Sequence, residues 1–366
     1  MKRDIEKEDL DQIEIDQEPS SDDDTPVAIK YDIASYPSDY TLSVLREMHK
    51  SGSIVIPNYQ REYIWTIKQA SLLIDSFLSG LPVPPVFFYI DNENKNLVID
   101  GQQRILSVIF FFEGYFGRES THGKRQTFRL TGLHESNPNN KKKFSDLSES
   151  DQRKLEQSVL RAINIRQLNP DDEGTSAYHI FERLNTGGTA LKPQEIRNCV
   201  FRGEFSRVLK DLNKDSAWRK ILGRSNVDKH QRDIELMLRI FALMNDSDAY
   251  EKPIKEFLNR AMKDHRSGNT SKVNRFYSDF PLVTRKVVEQ LGSKPFHIRG
   301  PINISVLDSV LCVLMEEAHK IEFIDLHLKF NELIRDDKFI EYTRTNPTDK
   351  KTVLSRLAKV REILLS

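Results

Sequence analysis

Val98-Ile99-Asp100-Gly101-Gln102-Gln103-Arg104 decides how the first third of the chain folds. A short apolar run ends in Asp-Gly and passes at once into helical spacing at Ile105, Leu106, Val108, Ile109 and Phe112. Strand, tight turn and helix in that order leave unpaired backbone N–H groups and a positive dipole end at the turn. Anions, phosphates above all, bind in such a place. Gly101 permits the turn, and Arg104 brings a fork of donors to the first helical turn. Asp100 is the odd member, because a carboxylate repels phosphate unless it holds a metal or accepts a proton. The purely structural alternative is an ordinary strand-to-helix connection with Asp as a helix cap.

The flanking sequence extends the pattern. Gln69 to Ser79 reads as an amphipathic helix through Leu72, Leu73, Ile74, Phe77 and Leu78, with Gly80 and Pro82 as stop signals. Val86 to Ile90 reads as a buried strand, residues 91–96 as turn chemistry, and Leu97 to Ile99 as the returning strand of a hairpin. Gln60 and Arg61 are near enough in sequence to fold over the end of that hairpin.

Composition bounds the remainder. At 366 residues the chain has material for two domains, and no run of about 18 apolar residues forms a membrane span. The start, Met1-Lys2-Arg3-Asp4-Ile5-Glu6, has no apolar signal region, so a cytoplasmic location is expected. Zero net charge hides an asymmetry: residues 1–24 hold eleven acidic and three basic side chains, net −8, which leaves +8 on the remainder. Residues 1–38 therefore read as a disordered acidic tail, either merely solubilising or a mimic of DNA. Basic residues gather at Lys141, Lys142 and Lys143 and across 192–239, where twelve Lys or Arg stand against seven Asp or Glu. Such an excess permits contact with nucleic-acid phosphates. Lys141, Lys142, Lys143, His230 and Arg232 are the candidates for it.

Other motifs carry less. Gly117 to Lys124 lacks P-loop spacing and has Arg125 where Ser or Thr would be needed. Glu93-Asn94-Lys95 falls on the hairpin tip, where turn residues belong. Cys199 and Cys312 lie far apart without ligand-spaced neighbours, so they read as buried small side chains rather than a disulfide or zinc site. Ser176 to Leu184 reads as a helix broken by Asn185-Thr186-Gly187-Gly188-Thr189, with Pro193 opening the next helix. The Gly-Gly loop suits either close approach to a phosphate or a helix cap, and Glu195 could pair with Arg197 or Arg183. From about Ile234 the apolar stripes are helical throughout.

Three ordered blocks carry a family resemblance. Pro57-x-Tyr59-Gln60-Arg61-x-Tyr63-x-Trp65, Leu73-Ile74-Asp75-Ser76-x-Leu78-x-Gly80-x-Pro82 and Asp100-Gly101-Gln102-Gln103-Arg104 together resemble the N-terminal domain of GmrSD-type restriction endonucleases. Phe181 to Leu191 with Glu195-Ile196-Arg197-Asn198 resembles its second block, and Arg232-Asp233-Ile234-Glu235 through Arg239 a third. The resemblance implies an α+β fold: a ParB/sulfiredoxin-like small mixed-sheet domain, here 39–170, followed by an all-helical domain, 171–366. It further implies nucleotide hydrolysis tied to restriction of modified foreign DNA. Gln60, Arg61, Gly101, Gln102, Gln103, Arg104 and Asn185 would then bind a nucleoside triphosphate with Mg2+. Asp100, Gln103 and Arg104 would carry the chemistry, and Asp100 would hold the metal. The nine scattered histidines form no His-Asn-His motif, so cutting would fall to a partner nuclease. A homo-oligomer is compatible with this. Two rival functions stand beside it: a metal-dependent nuclease built on Asp100, or a DNA-binding module without catalysis.

Overall fold

The computed structural model describes residues 32–56, 63–91, 93–117, 125–169, 176–184, 191–298 and 300–366. The fold is mixed α+β: a small mixed sheet comes first and a largely helical region follows. The described residues up to Leu191 form one compact unit, and those from Lys192 onward form a second.

The first unit runs β1 (Asp32–Thr41), α1 (Leu42–Lys50), β2 (Ile54–Val55), α2 (Ile67–Ser79), β3 (Val86–Ile90), β4 (Asn96–Asp100), α3 (Gln102–Glu113), β5 (Tyr115–Phe116), β6 (Gln126–Thr127), α4 (Glu149–Gln157), β7 (Val159–Asn169) and α5 (Ser176–Leu184). Five strands form the main sheet in the order β1-β7-β3-β4-β2. β1 with β7 and β3 with β4 are antiparallel, whereas β3 with β7 and β2 with β4 are parallel. The sheet thus takes in residues 32–38, which read as part of the acidic tail. Their Ser, Asp and Pro side chains give no apolar run, and pairing along β7 alone makes them a strand.

Local chemistry explains the elements around the hairpin. Thr66 caps α2 in a reciprocal box with Gln69, and Gly80 ends it in the left-handed region at φ 74°. At the hairpin tip the Asp91 carboxylate accepts the backbone N–H groups of Glu93 and Lys95. The Lys95 ammonium pairs with Glu93 at 2.6 Å, so this trio is a built turn. Alternation along β3 sends Phe88 into the main core and Tyr89 to the opposite face, where Phe181 of α5 meets it 6.1 Å away. α3 brings Phe110, Phe111 and Phe112 into that core. Phe111 meets Phe128 edge-to-face at 5.1 Å, and Phe112 meets Phe144 at 5.0 Å. Each buried ring contributes about 1.5–3 kcal/mol, so the helix start that follows Gly101 is anchored by its own far end.

The second unit is helical: α6 (Pro193–Val200), α7 (Glu204–Leu212), α8 (Ser216–Leu222), α9 (Arg232–Asp246), α10 (Ile254–Asp264), α11 (Ser271–Leu291), α12 (Ile304–Glu316), α13 (Leu326–Leu333), α14 (Asp337–Arg344) and α15 (Lys350–Leu364). α12 is buried on every side from Ser305 to Met315, so it forms the axis of the unit. Its polar residues must therefore be satisfied internally. Asp308 takes Arg239 of α9 at 2.9 Å and Arg356 of α15 at 3.4 Å. Cys199 and Cys312 are buried free thiols, as expected.

Candidate functional site

The site lies where β4 passes into α3. Gly101 sits at φ 97°, and a Cβ there would lie 2.3 Å from Val86 Cγ1 and 2.8 Å from Val86 Cβ. Conformation and space both exclude a side chain, so the close approach of β3 to the turn depends on glycine. No side chain caps the start of α3, and its first turn holds no acidic residue.

Arg104 comes one turn into the helix and folds back over the turn. Its Nη2 donates to Asp100 Oδ2 at 2.7 Å and to the Pro85 carbonyl at 3.1 Å. This explains the carboxylate in an anion setting: Asp100, the last residue of β4, reaches across the Gly101 turn and aligns the guanidinium four residues later. Arg104 is 17% exposed and Asp100 29%, so the pair stands at the protein boundary. The Nε of Arg104 is buried with no hydrogen-bond partner, and among the described residues Nη1 makes no hydrogen bond either. An orphaned buried donor costs about 1–3 kcal/mol, which an arriving acceptor would recover.

Gln103 turns away from Arg104. Its Oε1 accepts the backbone N–H groups of Ile64 at 3.0 Å and Trp65 at 3.2 Å. Four residues on, Ser107 Oγ donates to the Gln103 carbonyl at 2.7 Å, so the 2.7 Å contact with Tyr63 has the phenol as donor. Burial pushes the Tyr63 phenol up to about 12, against some relief from Ser107. Gln60, Arg61 and Asn185 lie outside the described residues, as do 118–124 of the stretch from Gly117 to Lys124.

The second and third blocks meet in the helical unit, at the starts of α6 and α9. Gln194, Glu195, Arg197 and Asn198 are all buried there. Arg197 donates to Asn259 at 2.9 Å, to Gln194 at 3.0 Å and to Glu235 at 2.9 Å, and Asn198 donates to Gln231. Glu195 instead accepts the Lys192 N–H at 2.6 Å and lies 3.6 Å from His230 Nδ1. Asp233 binds Arg219 at 2.9 Å, and Arg239 binds Asp308. Three charged residues of α9 thus tie it to α6, α8 and α12.

The cationic candidates divide between the units. Lys141 to Lys143 lie in the first, their backbone fixed against Leu130 by bonds of 2.7 and 2.9 Å, and Lys143 Nζ is 3.8 Å from Asp146. His230 and Arg232 lie in the second, and Asp228 accepts both their backbone N–H groups. Among the described residues no group of three His, Cys, Asp or Glu could hold a metal ion, and no helix is long and apolar enough to cross a membrane.

Residues 42–202 match the family described as GmrSD restriction endonuclease, N-terminal domain. The match is to the same family that the sequence blocks resemble, and its span takes in the Asp100–Arg104 turn and α6. No curated protein sequence matches the chain.

Proposed function

We propose that this protein is the nucleotide-binding and hydrolysing component of a system that restricts foreign or modified DNA, with Arg104 as the phosphate-binding residue. The observation that carries the reading is the state of that side chain. One nitrogen is held by Asp100 and Pro85, the others have no hydrogen-bond partner among the described residues, and the guanidinium lies at a helix start without a side-chain cap. Phosphate suits such a site: the guanidinium fork matches its oxygens, and the helix dipole adds favourable field. Asp100 keeps Arg104 aligned through Oδ2.

Magnesium accompanying the nucleotide would neutralise phosphate charge. The donor set suits an ion that arrives with phosphates and keeps its waters, because Asp100 Oδ1 is a single hard oxygen beside the fork. A stand-alone nuclease metal needs more protein ligands than Asp100 supplies. Turnover would then gate contact with DNA or with a partner nuclease, and Lys141–Lys143, His230 and Arg232 remain the candidates for DNA phosphates.

Phosphate release from ATP, GTP, CTP and UTP with magnesium, with and without modified or plain DNA, tests the proposal. Turnover in Arg104→Ala should fall about 100-fold or more, the scale of losing one donor to developing charge. Undiminished hydrolysis by Arg104→Ala sinks the reading. Plasmid nicking that needs metal but no nucleotide moves the assignment to a nuclease.

A further inference from the structure

Gln103 immediately precedes Arg104, yet its side chain is spent on a different task. An amide has one acceptor oxygen, and here that oxygen takes two consecutive backbone N–H groups, Ile64 and Trp65. The next N–H, Thr66, goes to Gln69 Oε1 at 2.9 Å. Three successive donors of an irregular segment are thus accepted by two glutamine side chains. Tyr63 adds a second hold. Its phenol reaches Ser107 and its ring meets Phe110 edge-to-face at 4.9 Å. Gln103, Ser107 and Phe110 recur at spacings of four and three, which places them on one face of α3. Arg104 points to Pro85 and Asp100 instead.

We propose that Gln103 is a positioning residue: with Ser107 it latches Tyr63–Trp65 onto the first two turns of α3, and thereby fixes the helix start that presents Arg104. It acts through backbone and not through contact with the nucleotide. What the latch serves rests on the proposed function above; the latch itself does not. The segment leads directly into α2, whose Thr66 cap follows the two latched amides, so losing the Gln103 acceptor frees the junction between two helices. The effect reaches Arg104 as a loss of alignment.

Amide hydrogen exchange on the full chain, read beside nucleotide turnover, tests this. In Gln103→Leu the Ile64 and Trp65 amides should exchange about tenfold faster or more, since their acceptor is gone. Turnover, as kcat/KM, should fall about tenfold as the reacting groups lose alignment. Gln103→Glu keeps an acceptor oxygen, so it should restore the protection and recover most of that loss. Tyr63→Phe, which removes only the phenol donor, should loosen the same two amides about threefold without unfolding the protein. Unchanged protection in Gln103→Leu and Tyr63→Phe overturns the latch. A Gln103→Glu protein that is protected yet as inactive as Gln103→Leu overturns the assignment of Gln103 as a positioning residue, because the amide would then be touching nucleotide. If the wild type turns over no nucleotide, the functional reading fails alone and the exchange data still judge the latch.

Discussion

Two arginines, Arg104 in the sheet unit and Arg197 in the helical unit, both belong to blocks that resemble the same family, yet they are built differently. Arg197 is 1% exposed and its guanidinium is met by Asn259, Gln194 and Glu235. Arg104 stands at the boundary with one nitrogen engaged. A guanidinium whose fork is already satisfied inside the protein gains nothing from a ligand, whereas a partly satisfied one does. The contrast separates an arginine that holds helices together from one available for phosphate.

The largest effect expected from this comparison is on folding of the helical unit. Arg197→Ala leaves the partly exposed Glu235 and two buried amides without their donor, and each buried acceptor left unpaired costs about 1–3 kcal/mol. Arg197→Lys should recover little, because an ammonium cannot reproduce the spread of the fork. Trp218 is fully buried in that unit and Trp65 belongs to the other. Urea melts followed by Trp218 fluorescence in a Trp65→Phe background therefore read the helical unit alone. A midpoint unchanged by Arg197→Ala would erase the distinction between the two arginines.

Gly101→Ala comes next. The methyl would collide with Val86 and occupy a backbone region that side chains disfavour, together costing about 2–4 kcal/mol. The loss should appear in the Trp65 melt with Trp218 replaced by Phe, and turnover should fall with it. An alanine protein of wild-type stability would mean that the turn does not depend on the approach of β3. Smaller still is the effect of Arg104→Ala on stability. Its pair with Asp100 is partly solvated, so the melt should shift by no more than about 1 kcal/mol while turnover collapses. A large shift in that melt would make Arg104 structural, like Arg197.

How much of this was legible in sequence follows from how local each cause is. α2, the β3–β4 hairpin and the start of α3 were readable because capping residues, turn residues and apolar spacing all lie inside each segment. Gly101 was readable for the same reason, although its clash with Val86 was not. β1 and β7 escaped notice: they pair across more than a hundred residues, and Ile33-Ala34-Ser35-Tyr36-Pro37-Ser38 carries no apolar alternation. The Glu235 partner of Arg197 is not readable locally. Glu235 lies 38 residues further along the chain and arrives on α9. Asp100 was recognised as anomalous, and a metal or a proton was offered for it. Alignment of Arg104 is a third answer, and it depends on how the turn brings Asp100 against the guanidinium in space. The work of Gln103 was hidden most completely, since its partners are backbone amides that no side-chain pattern records.

The finest contrast concerns pH. Half-buried Tyr63 has its pKa pushed up to about 12 in the folded protein, against 10.0 for an ordinary phenol. Raising the folded pKa of an acid means that the unfolded chain loses its proton first. The stability Tyr63 supplies is therefore fully present below pH 10 and drains away between pH 10 and 12. In that window the wild-type Trp65 melt should weaken more steeply with pH than the melt of Tyr63→Phe, which has no proton to lose. Arg197 lies in the other unit, so the Trp218 melt should show no dependence on Tyr63. Parallel pH slopes for wild type and Tyr63→Phe would show that the phenol is not held against Ser107 and Phe110, and would weaken the latch at its second hold. A difference confined to the Trp65 signal would place that alkaline sensitivity in the segment next to Arg104 and leave the helical unit, with its satisfied fork, as the internal control.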